Sequence, residues 1–131
     1  MSQTSTFIFV CEHGAAKSVI AAAHFNKLAS ERNLSLRATA RGTTPDAELS
    51  PKAVEGLERD GLTPTESVPQ KLTLTDSESA GRIVSFCELP EEFQGRVSID
   101  QWDGVPPVSE DYEKARDAIV ERINKLIGNI A

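Results

Sequence analysis

The sequence lacks the features of secreted, membrane-spanning and nucleic-acid-binding proteins. Only two cysteines occur in 131 residues, too few for a scaffold stapled by disulfides. No apolar run approaches the ~18 residues of a membrane span, and Met1–Thr4 lacks the basic start of a signal peptide. The 14 Lys and Arg against 20 Asp and Glu give a net charge of −6, and such a surface repels phosphate backbones. We therefore expect a cytoplasmic protein with no membrane or nucleic-acid partner.

The length and composition predict one globular domain over residues 1–131. Apolar residues make up 39% of the chain and charged residues 26%, as in ordinary soluble domains. At roughly 100–200 residues per domain, there is room for a single core. The two cysteines and two histidines do not have the spacing of metal ligands, so we expect neither a metal site nor another cofactor.

The pattern of apolar residues predicts strands and helices in alternation. The β-forming run Thr6–Val10 suits a strand buried on both faces. The Ala-rich stretch over about residues 15–30 predicts a helix. Further strands are predicted at residues 34–40, 82–86 and 96–99. This order favours an α/β open sheet of about four parallel strands with helices on both faces.

The boundaries of the later helices are marked by capping residues. Ser50 followed by Pro51 predicts the start of the second helix, and Gly61 predicts its end. Residues 72–81 suggest a short helix leading into the third strand. In the last helix, Ser109 is the predicted N-cap and Gly128 the predicted end.

The loop between the first strand and the first helix carries the candidate chemistry. In open parallel sheets, ligands bind where strand ends meet helix starts. The small residues from Cys11 to Ser18 can turn their backbone N–H groups inward as a nest for an anion, and the following helix adds its positive end. Gly14 permits an unusual backbone angle, and Ala15 and Ala16 let the chain turn tightly.

Cys11 is the candidate nucleophile of this loop. A nest of amides would stabilise its thiolate at neutral pH. Lys17 could hold an oxyanion by its charge, the Ser18 hydroxyl could donate to the sulfur, and His13 could donate to the anion. The alternative interpretation is that Cys11 is a small buried hydrophobic residue at a strand end.

The segment VCEHGAAKS resembles the phosphate-binding loop of the low-molecular-weight protein tyrosine phosphatases and the related thioredoxin-coupled arsenate reductases, whose signature is Cys, five residues, Arg, Ser. The resemblance covers nearly the whole chain and implies a three-layer fold with flavodoxin-like strand order. Further matching segments are Arg41–Thr43, Leu49–Ala53, Arg82–Cys87 and Trp102–Ile119.

The resemblance implies roles for the residues of this loop and for Asp103. Cys11 would take the phosphoryl group, and Asp103 would protonate the leaving oxygen and then activate water. Lys17 and Ser18 would complete the catalytic set. The oxyanion would contact residues of the loop, namely Glu12, His13, Gly14, Ala15, Ala16, Lys17 and Ser18.

The sequence departs from the family's pattern at several positions. Lys17 stands in place of arginine, so the charge is kept but the planar fork that grips two oxygens is lost. Gly104 replaces a proline, and the aromatic pair of tyrosine-specific members is Val105-Pro106 here, so phosphotyrosine selectivity is not expected. Cys87 matches the position of the reductase cysteine that attacks the first one, but residues 88–94 contain no third cysteine.

Three functions therefore stay open at the level of sequence. The leading hypothesis is a phosphatase that uses Cys11 on a phosphorylated substrate. The second is arsenate reduction through a Cys11–Cys87 disulfide, with a thiol reductant as partner. The third is an oxyanion-binding relative with little catalysis, since lysine has replaced arginine. A buried strand cysteine with no redox role is the alternative interpretation of Cys87.

Overall fold

Parallel strands alternate with helices in the computed structural model, which describes residues 5–94 and 98–130. The strands are β1 (Ser5–Cys11), β2 (Leu36–Gly42), β3 (Arg82–Ser85) and β4 (Ile99–Gln101). The helices are α1 (Lys17–Glu31), α2 (Pro51–Arg59), α3 (Leu74–Ser79) and α4 (Tyr112–Ile130), with a 3₁₀ turn at Glu91–Phe93.

The sheet has the order β2-β1-β3-β4, and each neighbouring pair is parallel. Strand β1 is buried on both faces, as predicted. Phe7 and Phe9 pack with α1, α2 and α4 on one face, and Ile8 and Val10 pack on the other. The second face is covered by the segment around α3 and by the 3₁₀ turn. The predicted three-layer α/β sheet with flavodoxin-like order is confirmed.

An aromatic cluster fills the first face of the sheet close to the carboxyl ends of its strands. The Phe9 ring lies 5.7 Å from Phe25, 6.5 Å from Phe86 and 5.7 Å from Trp102, measured between centroids. Trp102 is only partly exposed and packs against this cluster. It is therefore part of the core that supports the strand ends.

Helix boundaries agree with the capping pattern for α2 but differ for α4. The Ser50 hydroxyl accepts from the Ala53 amide, and Gly61 has φ +78° just after the helix. At α4, the cap is Asp111 and not Ser109, because the Asp111 carboxylate accepts from the Lys114 amide. The helix also continues through Gly128 to Ile130, since one interior glycine costs only about 1 kcal/mol.

The fourth strand differs from its predicted position. It was expected at residues 96–99 and lies at Ile99–Gln101, on the edge of the sheet beside β3. Arg96 and Val97 lie outside the described residues. None of the helices in the described part of the chain combines the length and apolar character that a bilayer crossing requires.

Candidate active site

The loop between β1 and α1 is held against the end of β2 by two glycines that touch. Gly14 has φ +62°, and a Cβ there would lie 2.9 Å from the Gly42 nitrogen. A Cβ on Gly42 would lie 2.6 Å from the Gly14 nitrogen. Real Cβ atoms do not approach so closely. The path of the loop therefore depends on the absence of side chains at both positions.

The carbonyls of the loop are bonded to the segment that follows β2. The acceptors are the carbonyls of Cys11, Glu12, His13 and Ala15, and the donors are the amides of Thr43, Thr44, Asp46 and Ser50 at 3.3, 2.8, 3.0 and 2.9 Å. In a trans peptide the carbonyl and the next amide point in opposite directions. The amides of residues 12, 13, 14 and 16 therefore point away from that segment.

These amides form a run of backbone donors. Within the described chain, the amides of residues 12–18 donate to no other protein group. Buried N–H groups without a partner are costly, and a series of them at the start of a helix is suited to an anion. The arrangement of this loop is therefore that of an oxyanion nest.

Cys11 lies at the base of the nest, where β1 ends. Its Sγ is 3.0 Å from the Oγ of Ser18, which is fully buried in the first turn of α1. Ser18 is thus a hydrogen-bond partner of this sulfur, and its place in the first turn puts the sulfur beside the positive end of α1. Cys11 is itself 9% exposed and lines a surface cleft. The sulfur is therefore accessible from the cleft.

The cleft beside the loop has a volume of about 350 Å³, within the range of small-molecule sites. The loop contributes Cys11, Glu12, His13, Ala15, Ala16 and Lys17. Other segments contribute Asp46 and Ser50, then Phe86 and Cys87 after β3, and residues 107–109 before α4. The cleft thus lies at the carboxyl ends of β1 and β3, as expected for an open parallel sheet.

Lys17 supplies positive charge to the cleft. It is the first residue of α1 and is half-buried. Among the residues described, no carboxylate pairs with it. Its ammonium group is therefore free to offset the charge of an anion. It acts as a compact charge and cannot form the bidentate hydrogen bonds of arginine.

Cys87 lies in the same cleft as Cys11, and both are free thiols. Burial raises the pKa of the Cys87 thiol, and a hydrogen bond with Ser85, whose Oγ is 3.7 Å from the sulfur, opposes the rise. The negative charges of Cys11 and Glu12 raise this pKa further. Cys87 is therefore a protonated thiol at neutral pH, electrostatically coupled to Cys11.

His13 forms a pair that was not predicted from the sequence. Its Nδ1 lies 3.1 Å from Oδ1 of Asp46, and both residues line the cleft. Asp46 follows Pro45 in the segment between β2 and α2, and nothing in the local pattern marks it. The contact between the two loops arises only when β1 and β2 pair side by side.

Asp103 is placed differently from the other candidates. Its side chain is exposed and is not among the residues that line the cleft, although Pro107 and Val108 are. The Asp103 carbonyl accepts from the Arg122 guanidinium on α4, and Gly104 turns the chain with φ +80°. The role of Asp103 as an acid stays a prediction.

A larger cleft of about 540 Å³ lies between α1 and α4 and contains His24, Asp60 and Arg116. The polar groups there bond to one another: Asp60 accepts from Arg116 at 2.7 Å and lies 3.3 Å from His24. These bonds join α1, α2 and α4. This second cleft is therefore explained by helix packing.

Comparison with known proteins identifies the fold. No protein-family model matches the sequence, and no curated protein matches it. Among solved structures, YwlE from Bacillus subtilis is similar at 20% identity and TM-score 0.81 over 96% of this chain and 98% of the other. An arsenate reductase from Archaeoglobus fulgidus has 27% identity and TM-score 0.76 over 93% and 98%. A low-molecular-weight tyrosine phosphatase from T. tengcongensis has 20% and 0.81 over 95% and 99%.

One further structure of YwlE concerns the chemistry of such proteins. YwlE is there called an arginine phosphatase, and the structure is of a Cys→Ser mutant whose active-site serine is phosphorylated. The present chain therefore has the fold shared by low-molecular-weight tyrosine phosphatases and arsenate reductases.

Proposed function

We propose that the protein is a cysteine-dependent phosphomonoester hydrolase, with Cys11 as the nucleophile. The main observation in support is that, within the described residues, the amides of residues 12–18 donate to no other protein group. They directly follow Cys11, whose Sγ lies 3.0 Å from the buried Ser18 hydroxyl. The fold similarity to phosphatases, and the phosphorylated active-site residue of YwlE, support it.

The first step is attack by the Cys11 thiolate on phosphorus. The phosphoryl oxygens accept from the loop amides, while Lys17 and the start of α1 offset their negative charge. The S–P bond forms as the P–O bond to the alcohol breaks, and the leaving oxygen takes a proton from the acid, the role that the resemblance gives to Asp103; a phosphocysteine remains. Water then attacks phosphorus and releases phosphate and the Cys11 thiolate.

Ser18 has its largest effect in the second step. When the sulfur leaves phosphorus, its negative charge returns, and the Ser18 hydroxyl is placed to donate to it. Loss of this bond slows hydrolysis of the intermediate, so the Ser18→Ala variant should accumulate phosphocysteine.

The intermediate gives a direct test of the proposal. An aryl phosphate is mixed with the wild type and with Ser18→Ala, the reaction is quenched, and the peptide containing Cys11 is measured by mass spectrometry. We expect phosphate on Cys11, with a larger fraction in Ser18→Ala. Binding of inorganic phosphate without any phosphocysteine or turnover would contradict the proposal and leave an oxyanion-binding protein.

Arsenate reduction is the second candidate, favoured by the position of Cys87 in the same cleft. The Cys11 sulfur would form a bond to arsenic as an As–O bond breaks and water leaves. The Cys87 thiol would then lose its proton and attack the Cys11 sulfur, which breaks the S–As bond. The two thiols lose two electrons and form a disulfide, and As(V) leaves as As(III), after which a thiol reductant must restore both cysteines.

A disulfide is the expected product of that reaction. Mass spectrometry of the wild type after arsenate treatment should show a Cys11–Cys87 bond, while Cys87→Ser should show none. Two free thiols that persist through arsenite release would exclude this route.

A further inference from the structure

The segment that carries Asp103 begins at the same edge of the sheet as the loop that carries Cys11. Val10 pairs with Ser85, and Ser85 pairs with Gln101, so the ends of β1, β3 and β4 lie in register. Since neighbouring strands lie about 4.8 Å apart, the backbone at the end of β4 is about 10 Å from the end of β1. Cys11 ends β1, and Asp103 follows β4 by two residues. The two residues therefore follow strands that end together, with one strand between them.

Hydrogen bonds hold the backbone on each side of Asp103. Before it, the Trp102 amide donates to the Ser85 carbonyl at 2.8 Å, and the Trp102 ring packs against Phe86 with 5.8 Å between centroids. After it, the Asp103 carbonyl accepts from the Arg122 guanidinium. The backbone of Asp103 is thus fixed to the end of β3 by one bond and to α4 by the other.

Gly104 leaves the loop without rigidity of its own at this point. Its φ is +80°, whereas the ring of proline fixes φ at about −65°. The proline of the family that the chain resembles therefore does not fit this path of the backbone. Glycine adopts more conformations than any other residue, so the path after Asp103 depends on contacts from outside the loop. The bond from Arg122 is such a contact.

Arg122 makes this bond without a competing ion pair. Among the residues described, the Asp103 carbonyl is the one group to which its guanidinium donates. Lys125 lies three residues further along α4 and lines the same small surface cleft beside Trp102. Its ammonium group pairs instead with Glu121 at 3.5 Å. Of these two cations on one helix face, Arg122 alone is bonded to the loop of Asp103.

We propose that Arg122 is the positioning residue of the catalytic acid, because its guanidinium holds the backbone at Asp103 where the carboxyl group can reach the leaving oxygen. This inference rests on the proposed function and on the role of Asp103 in it. In the first step, the S–P bond forms, the P–O bond to the alcohol breaks, and the Asp103 carboxyl gives its proton to the leaving oxygen. In the second, the carboxylate takes a proton from water as the water oxygen bonds to phosphorus and the S–P bond breaks. Arg122 exchanges no proton in either step.

The test compares two esters in variants of Arg122. p-Nitrophenol leaves without a proton, whereas phenol needs one. Arg122→Met keeps the apolar stem but removes every donor. Its kcat/KM should fall about 10–10²-fold with phenyl phosphate, since a displacement of about 1 Å costs on that order, and less than about threefold with p-nitrophenyl phosphate. Arg122→Lys keeps the charge and a donor and should recover most of the activity on phenyl phosphate.

A double-mutant cycle shows whether Arg122 acts through Asp103. Asp103→Asn should lower kcat/KM for phenyl phosphate about 10²–10⁴-fold, the usual contribution of a general acid. Addition of Arg122→Met to Asp103→Asn should cause no further loss, since residues that act on one step are not additive. Lys125→Met is the matched control, because it removes a cation from the same face of α4 that has no bond to the loop. It should leave the hydrolysis of both esters unchanged.

The outcomes separate this inference from the proposed function. Equal losses on both esters in Arg122→Met, no loss, or a further loss on top of Asp103→Asn would overturn the positioning role while the hydrolase stands. Failure of Arg122→Met to fold would assign Arg122 to stability and would also overturn it. Unchanged hydrolysis of phenyl phosphate by Asp103→Asn would remove the acid, and this inference with it. A wild type no faster than Cys11→Ser on either ester would overturn the hydrolase and the role of Arg122 together.

Discussion

Replacement of Cys11 by serine is expected to reduce hydrolysis of p-nitrophenyl phosphate by more than about 10³-fold, since a neutral serine hydroxyl is a much weaker nucleophile than a thiolate. In the proposed mechanism Cys11 is the attacking group, and it lies at the start of the run of amides of residues 12–18 with Ser18 Oγ 3.0 Å from its sulfur. Steady-state kinetics of the purified variant measure the loss. Because Cys11→Ser changes one atom and keeps a hydrogen-bonding group beside Ser18, thermal unfolding of this variant should resemble that of the wild type.

Cys87→Ser is the matched control for this prediction. It makes the same atomic change in the same cleft, in a thiol that burial keeps protonated. If the protein is a hydrolase, phosphate ester turnover should change less than about threefold, because displacement at phosphorus needs only one sulfur. If both variants lose activity together, hydrolysis needs both thiols, and the assignment of Cys11 as the one sulfur required for turnover is wrong.

Structural elements that depend on residues close together in the sequence could be predicted from the sequence. Continuous apolar residues before Cys11 identified the central strand, and Ser50-Pro51 with Gly61 identified the limits of α2. In each case, the signal lies within a few residues of the feature. The parallel pairing of β1 with β2 and with β3 followed because strands joined through crossover helices pair in parallel.

Contacts between distant segments could not be predicted in this way. Asp46 reaches His13, and Asp60 reaches Arg116, only after the strands and helices have packed. The position of Asp103 depends on a carbonyl contact with Arg122 and on the turn at Gly104. Residues 102–107 contain no regular structure to give a periodic signal, so their path relative to the cleft is a tertiary property.

Asp60 provides the second prediction, which concerns stability. It ends α2, where a negative charge opposes the helix dipole. The contacts that compensate come from two other helices: Tyr112 and Arg116 on α4 donate to its oxygens at 2.7 Å each, and His24 on α1 lies 3.3 Å away. One carboxylate thus joins three helices on the face of the sheet that carries most of the core.

Removal of that charge is expected to be costly. Asp60→Asn keeps the volume but leaves Arg116 without a buried counter-charge, so the free energy of unfolding should fall by about 2–4 kcal/mol. This loss is smaller than the largest losses seen when one partner of a fully buried ion pair is removed, because the Arg116 side chain is 25% exposed. Urea denaturation followed by circular dichroism gives the value, and hydrolysis by the remaining folded protein should be unaffected.

Asp117→Asn is the matched control, because Asp117 contacts the same guanidinium, at 3.0 Å, but is 71% exposed. A surface pair contributes about 0–1 kcal/mol, so this variant should stay close to the wild type.

Desolvation raises the pKa of Asp60, but the hydrogen bond from Tyr112 and the charge of Arg116 outweigh it, so the pKa lies below its usual value of 3.8. The carboxylate therefore stabilises the fold above that pH and ceases to do so as acid protonates it. The difference in the free energy of unfolding between the wild type and Asp60→Asn should be largest at neutral pH and should shrink below about pH 4. If Asp60→Asn and Asp117→Asn lose equal stability, or if the loss does not depend on pH, the charge of Asp60 does not hold the helices together.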